Sequence, residues 1–258
     1  MDLPEARALQ LPAGRMVSSA QDEPVLWLSD APVPPGLWSR MLAEHPRSGL
    51  WPLLLEGRHH EPDRSWESQE SSVSWFSRLT EHDPEELLTR WWNDHAHVKD
   101  GVAPPEPLET APFGLWPGRA PAQGVRRGVA EERACEYAEL LVEYRPGYRL
   151  GLVRAGSGAE AMTASGWTGP LNYDNDTAVF ACVVADWEHR FGVSVLGLGF
   201  DTLTLSVAAP PTDIDQALRV AAEHFAFCPD SIVQNPPHRL RDYAETLIER
   251  PLWNFWWD

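Results

Sequence analysis

A histidine and two aspartates near the end of the sequence are candidates for acid–base chemistry. His224 lies in an apolar helical pattern, Asp230 follows it closely, and Asp201 falls in a predicted turn. A histidine oriented by a carboxylate is a common general base, and burial in a cleft would shift its pKa. If the three side chains share a pocket, they predict a small-molecule enzyme or a ligand sensor. Otherwise Asp201 has only a structural role in the turn, and His224 is an ordinary core residue.

Tryptophan is unusually frequent in this sequence and could form a binding surface. There are 13 Trp residues against 8 Phe residues. Tryptophan is seldom fully buried, because its indole N–H needs a partner, and it is favoured at interfaces. The candidate residues for contact with a ligand or partner are Trp187, Phe200, Trp253, Trp256 and Trp257. The favoured interpretation of the four tryptophans is that they fill the core or its rim, and an aromatic ligand cleft is the alternative.

Three short clusters contain metal-ligating residue types without the spacing of a metal site. The segment 172–176 alternates oxygen ligands like the start of a calcium loop, but Thr177 stands where that loop needs glycine and Val183 where it needs glutamate. Helix capping is therefore the expected role of this segment. The histidines of 94–97 point apart on a helix, and 59–61 is a loop cluster. We expect no metal and no cofactor; the sequence also has no glycine-rich phosphate loop.

The charge balance restricts the possible partners. The chain has 38 acidic and 21 basic residues, which gives a net charge of -17. Such a surface repels phosphate, so broad nucleic-acid binding is disfavoured, and a basic protein partner is favoured.

No apolar run approaches the ~18 residues of a membrane span. The N-terminus does not resemble a secretory signal, and three widely spaced cysteines predict a reducing compartment, the cytoplasm. The oligomeric state is not indicated.

The composition changes along the chain suggest four regions. They are a loose leader over 1–22, an N-terminal α+β region over 23–99, a Pro/Gly-rich linker over 100–129 and a C-terminal domain over 130–258. Proline at the density of the linker is incompatible with helix interiors or central strands. Aromatic residues in the linker predict that it lies against the body. Whether the N- and C-terminal regions share one sheet is left open.

The hydrophobic periodicity predicts helices and strands on both sides of the linker. Before the linker, strands are predicted over 23–28 and 50–56, and helices over 37–45 and 83–98. After the linker, strands are predicted over 148–153, 193–200, 203–208 and 252–258, and helices over 130–144, 157–165, 176–192, 214–225 and 240–247. Pro52 favours an edge position or strand start. The Asp201–Thr202 link predicts an antiparallel hairpin, and Thr212 with Asp215 resembles a capping box.

This order of elements predicts an α+β fold. The sheet is expected to be mixed or antiparallel, with helices packed on it and the aromatic C-terminal strand inside it.

Several distinctive short sequence motifs in the last part of the chain indicate a family resemblance. They are 149–153, 166–170, 175–178, 184–192, 199–203, 221–230 and 253–258. In these motifs, the stretch from Arg149 to Asp258 resembles the bacterial domain of unknown function 4253 family. The resemblance implies no activity, because the family has no established one.

We therefore interpret the protein as a cytoplasmic, non-enzymatic binding module. Its partner would be a basic protein, a nuclease toxin for example, or a small molecule. A charge of -17 would speed association with a basic partner. The alternative is a hydrolase or a ligand sensor with a cleft near His224, Asp201 and Asp230.

Overall fold

The computed structural model describes residues 8–19, 22–56, 66, 76–98, 101, 109–126, 128–236 and 238–258. The strands in these residues are β1 (Gly14–Ser18), β2 (Pro24–Pro32), β3 (Leu50–Leu55), β4 (Arg149–Arg154), β5 (Val193–Leu198), β6 (Thr202–Val207) and β7 (Leu252–Trp256). The α-helices are α1 (Leu37–Ser48), α2 (Pro84–His95), α3 (Val129–Tyr144), α4 (Gly158–Ala164), α5 (Thr177–Phe191), α6 (Ile214–Phe227), α7 (Asp230–Val233) and α8 (Leu240–Leu247).

The strands form one mixed sheet, in the order β1-β2-β4-β3-β5-β6-β7. Only β3 and β5 pair in parallel among the described strands, and the other neighbours are antiparallel. The α+β fold and the place of the C-terminal strand in the sheet are confirmed. β4 lies between β2 and β3, so strands from both sides of the proline-rich segment share the sheet. The four region boundaries stay predictions.

The first strand lies inside the stretch that the sequence suggested to be a loose leader. β1 pairs with β2, and Met16 lies opposite Trp27. Val17 is the buried residue of β1, while Met16 is 37% exposed. An edge strand that contributes so little to the core leaves no sustained apolar period in the sequence, which explains the difference.

Pro52 lies in an interior strand, so the expectation of an edge or strand-start position is wrong. β3 lies between β4 and β5, with Pro52 opposite Leu152. On the other side only Leu54 and Leu55 pair with β5. Since no β5 residue pairs beside Pro52, its missing N–H interrupts no hydrogen bond there.

Two local details of the C-terminal half also differ from their predictions. The β5–β6 hairpin is antiparallel as expected, but its turn contains Gly199, whose N–H donates to Thr202 O at 2.8 Å. Helix α6 is capped by Asp213 instead of Thr212: the Asp213 side chain accepts the Gln216 N–H at 2.9 Å. In both cases the motif is shifted by one or two residues, which the sequence pattern does not resolve.

Helices cover both faces of the sheet. On one face, α1 packs against β3, and α3 packs against β5 and β6. On the other face, α4 and α5 contact β5, and α2, α6 and α8 pack around them. Every residue of β3 and β5 is buried, as expected for strands covered on both faces. None of the helices in the described residues is long and apolar enough to cross a membrane.

Candidate functional site

A cavity of about 430 Å³ opens beside the β6–β7 ladder. The cavity is lined by residues of β6, β7, α7 and α8, and by Arg145 and Tyr148 between α3 and β4. Residues between α7 and α8 (Asn235, Pro236 and Arg239) and Arg250 after α8 complete the lining. Three of the lining residues are arginines: Arg145, Arg239 and Arg250. We call this cavity the arginine cleft.

The alternation of side chains along β7 separates the core from the cleft. Trp253 and Phe255 point into the core, whereas Asn254 and Trp256 are exposed. On β6, Thr204 lies opposite Asn254, and its hydroxyl donates to Asn254 Oδ1 at 3.1 Å. Successive side chains of a strand face opposite sides of the sheet. One face of β6 and β7 therefore completes the aromatic core, and the other face lines the cleft.

The arginines of the cleft have few partners of their own. Arg145 Nη1 lies 3.3 Å from Glu56 Oε2, in a pair whose side chains are 62% and 43% exposed. Neither Arg239 nor Arg250 makes a hydrogen bond or ion pair through its guanidinium to a described residue. Asp242 is the carboxylate among the described lining residues. The cleft is therefore richer in positive than in negative charge, in contrast to the chain as a whole.

The structure pairs His224 with Tyr243 in place of the predicted aspartate. His224 is fully buried, and its Nδ1 lies 2.9 Å from the Tyr243 hydroxyl. The ring centroids of Trp253 and Phe255 are 4.5 and 4.8 Å from its own. Burial lowers the pKa of His224 to about 3, so the imidazole is neutral at physiological pH. Tyr243 lines the cleft, and His224 lies behind it.

The two candidate aspartates have separate structural roles. The Asp230 carboxylate accepts hydrogen bonds from the Tyr173 hydroxyl at 2.8 Å, Gln234 Nε2 at 2.9 Å and the Asp258 N–H at 3.1 Å. Asp201 lies in the β5–β6 turn, where its carbonyl accepts the Trp257 N–H at 3.1 Å. Within the described residues, no hydrogen bond joins either aspartate to His224. The structure therefore does not bring the predicted acid–base group together.

The candidate binding residues divide between core and surface. Trp187, Trp253 and Trp257 are at most 1% exposed, so they are core residues and not part of an accessible surface. Trp187 stacks on Phe255 with the ring centroids 5.6 Å apart, for example. Phe200 is half-buried in the β5–β6 turn. Trp256 is 39% exposed and lines the arginine cleft, so it is the aromatic candidate that a ligand can reach.

A serine, a histidine and an aspartate meet elsewhere, in an arrangement that sequence reasoning missed. The Ser77 hydroxyl donates to Asp176 Oδ2 and lies 2.5 Å from His82 Nε2. A nucleophilic triad requires the histidine between the other two residues, but here the serine occupies that place. Asp176 also caps α5 by accepting the Ala178 N–H, as the capping interpretation predicted. This cluster is therefore a structural cap.

The described residues contain no group of three or more His, Cys, Asp or Glu side chains that could hold a metal ion. The predicted loop cluster 59–61 lies outside the described residues.

A second arginine centre lies in the core. Fully buried Glu223 accepts hydrogen bonds from Arg190, from Trp187 Nε1 at 2.7 Å and from the Ala120 N–H at 2.7 Å. Arg190 also donates to Ala120 O and to Asp186, each at 2.7 Å. Burial would lower the pKa of Arg190, but Glu223 and Asp186 raise it above its ordinary value. We call these residues the Glu223 clamp. It ties the described part of the proline-rich segment to α5 and α6, so this part lies against the body.

The comparisons with known proteins agree with the resemblance found in the sequence. Residues 149–258 match the family model described as a domain of unknown function, DUF4253. No curated protein and no solved structure matches the chain. The matched part contains β4–β7 and all residues that line the arginine cleft except Arg145 and Tyr148.

Proposed function

We propose that this protein is a binding module that holds an anionic small molecule in the arginine cleft. The observation that carries the proposal is the convergence of Arg145, Arg239 and Arg250, from three different segments, on one cavity in a chain with net charge -17. A guanidinium binds carboxylate or phosphate through two parallel hydrogen bonds. The volume of about 430 Å³ lies within the usual range of small-molecule sites, about 300–1,000 Å³.

The polar groups around the arginines support binding more than catalysis. The Tyr243 hydroxyl is engaged by His224, and burial raises the pKa of Tyr243. His224 itself is neutral, fully buried and not among the residues that line the cleft. Thr246 and Asn235 donate to backbone carbonyls, the Thr246 hydroxyl to Tyr243 O at 2.7 Å and the Asn235 amide to Ser231 O at 3.1 Å. Their oxygens can still accept hydrogen bonds that orient a ligand.

Calorimetric titration of the full chain with inorganic pyrophosphate tests this proposal. The unmodified protein should bind pyrophosphate, and Arg239→Gln or Arg250→Gln should each weaken binding by about 10- to 150-fold, since one charge-assisted contact contributes roughly 1.5–3 kcal/mol. The matched control is Arg241→Gln, because Arg241 lies on α8 outside the cleft and is 59% exposed. Equal weakening by Arg241→Gln, or no pyrophosphate binding at all, would contradict the proposal.

A second candidate function is the capture of a basic protein partner, which the charge of -17 favours. Helix α2 offers a shallow acidic groove for it, with Glu86 and Asp94 among the lining residues. Complexes of this kind should weaken steeply with salt. Pull-down from native lysate at low and high salt should therefore recover a salt-sensitive partner, and a lysate that yields none would count against this candidate.

We propose a reducing compartment, the cytoplasm, as the location of the protein. The support is that Cys135, Cys182 and Cys228 are all free thiols. Burial raises the pKa of Cys182 to about 11 and that of Cys228 to about 12, so these two thiols are unreactive core residues.

A further inference from the structure

The arginine cleft presents one exposed aromatic face, the indole of Trp256. Among the tryptophans in the described part of the chain, Trp256 is the one with an exposed side chain, at 39%. No described ring contacts this indole, whereas Trp257 contacts Trp167, Phe180 and Phe227. A large aromatic side chain without a partner on the wall of a cavity is a platform on which a planar ring can stack.

Arg145 lies at the same end of the cleft as Trp256. The β6–β7 register places Thr202 opposite Trp256. Arg145 pairs with Glu56, whose N–H donates at 3.1 Å to Leu198 O, just before the turn that leads to Thr202. Arg145 therefore lies near the Trp256 end of the ladder.

Arg239 is linked to Trp256 through α7 and the segment that follows it. Cys228, just before α7, donates its thiol to Trp256 O at 3.0 Å. At the end of α7, Val233 O lies 2.7 Å from His238 Nδ1, directly before Arg239. α7 and the segment after it therefore lie between these two residues along the chain, and Arg239 and Trp256 both line the cleft.

The rest of the cleft offers hydrogen-bonding groups and a third cation. Arg250 comes just before the start of β7, where Pro251 O accepts the Val207 N–H. From Trp256 to that end of the strand the distance is about 13 Å, at roughly 3.3 Å per residue. Asn254 and Thr204 lie between the two ends. Asp242 also lines the cavity, without a described partner for its carboxylate. An ionised carboxylate accepts hydrogen bonds but donates none, so a ligand must offer it a donor.

We propose that the ligand of the arginine cleft is a free nucleotide, with its heteroaromatic ring on Trp256 and its phosphate groups on the arginines. The proposal rests on the proposed anion-binding function and specifies the ligand class. A nucleotide combines the three features that the cleft requires: a planar ring for the indole, hydroxyl or amino donors for Asp242, and phosphate oxygens for the guanidiniums. A simple anion would leave Trp256 and Asp242 without contacts.

The test compares four probes by calorimetry on the full chain: inorganic pyrophosphate, adenosine, adenosine 5′-diphosphate and uridine 5′-diphosphate. At least one diphosphate should bind about tenfold more tightly than pyrophosphate, since stacking of one base on an aromatic side chain contributes on the order of a tenfold gain. Adenosine without phosphate should bind more weakly than either diphosphate.

Variants of Trp256 separate the ring contact from the anion contact. Trp256→Leu should remove the preference for the diphosphate and leave pyrophosphate binding unchanged, and Trp256→Phe should keep part of the preference. Leu115→Ser is the control, because Leu115 is 51% exposed and lies outside the cleft.

Three outcomes overturn the proposal. If pyrophosphate binds as well as both diphosphates, or if Trp256→Leu weakens all probes equally, the anion site remains and the nucleotide assignment fails. If none of the probes binds, the proposed function fails together with it. Retained pyrophosphate binding by Trp256→Leu also shows that the variant is folded.

Discussion

The buried Arg190 and the exposed arginines of the cleft differ in how completely their charges are matched. Arg190 is 7% exposed, and its guanidinium binds Glu223, Asp186 and a backbone carbonyl. In the cleft, Arg239 and Arg250 are exposed, and their guanidiniums have no described partner. A fully matched cation is part of the scaffold, whereas an unmatched cation beside a cavity remains available to a ligand.

The difference follows from the cost of burying charge. A guanidinium inside the core must be paired, because an isolated buried ion costs several kcal/mol. At the wall of the cleft, water hydrates the same group, so it needs no partner for the protein to fold. We therefore expect changes in the clamp to affect stability, and changes in the cleft to affect binding.

The largest effect is expected when the clamp is broken at Glu223. Glu223→Gln keeps the shape of the side chain but leaves Arg190 without its fully buried counter-ion. The free energy of unfolding should fall by about 3–5 kcal/mol, as measured by urea denaturation. The matched control is Glu85→Gln, because Glu85 also binds an arginine but is 40% exposed. We expect that control to cost about 1 kcal/mol or less. Equal losses in the two variants would show that burial does not distinguish these pairs.

A second, smaller effect is expected at Glu188, a mostly buried carboxyl group without a described cationic partner. Burial raises the pKa of Glu188 from 4.5 to about 7, although its Oε1 accepts the Ala159 N–H at 2.9 Å. The native state therefore holds this proton more tightly than the unfolded chain does. Its contribution to stability is full below pH 4.5 and is lost as the pH rises through about 7.

Glu188→Gln should remove that dependence, because the amide does not titrate but still accepts the Ala159 N–H. Relative to the unmodified protein, the variant should gain about 3 kcal/mol of unfolding free energy between pH 4.5 and pH 8. Urea denaturation at several pH values measures this difference. A difference that stays constant over this range would contradict the assignment.

The smallest effects on stability are expected for the cleft arginines. Arg239→Gln and Arg250→Gln should each change the free energy of unfolding by no more than about 0.5 kcal/mol, as is usual for exposed side chains without partners. Chemical denaturation of the same samples that are used for pyrophosphate titration provides the measurement. A loss as large as that of Glu223→Gln would mean that these arginines are part of the scaffold, and the contrast with Arg190 would disappear.

The sequence predicted most of the fold, because local patterns specify most of the elements. The apolar period of α5 and its capping residue Asp176 placed that helix correctly. The alternation of Trp253, Asn254 and Phe255 likewise indicated a terminal strand. β1 was missed, because an edge strand that buries a single side chain has almost no pattern of its own.

The site was predicted less well, because the residues that form it are far apart in sequence. Trp256 was chosen for its type and lies in the cleft. Arg145, Arg239 and Arg250 carried no signal beyond being among the 21 basic residues of an acidic chain. Trp187 and His224 were chosen for their chemistry, yet both are completely buried.

Sequence alone determined the class of the fold, the helices with their caps and the negative charge, since these depend on residue type and on near neighbours. Tertiary structure decided that β4 enters between two N-terminal strands, that Glu223 meets Arg190 in the core, and that three distant arginines surround one cavity. Such pairings depend on how segments pack across the sheet, and the free energy of that packing is not encoded in any single stretch of the chain.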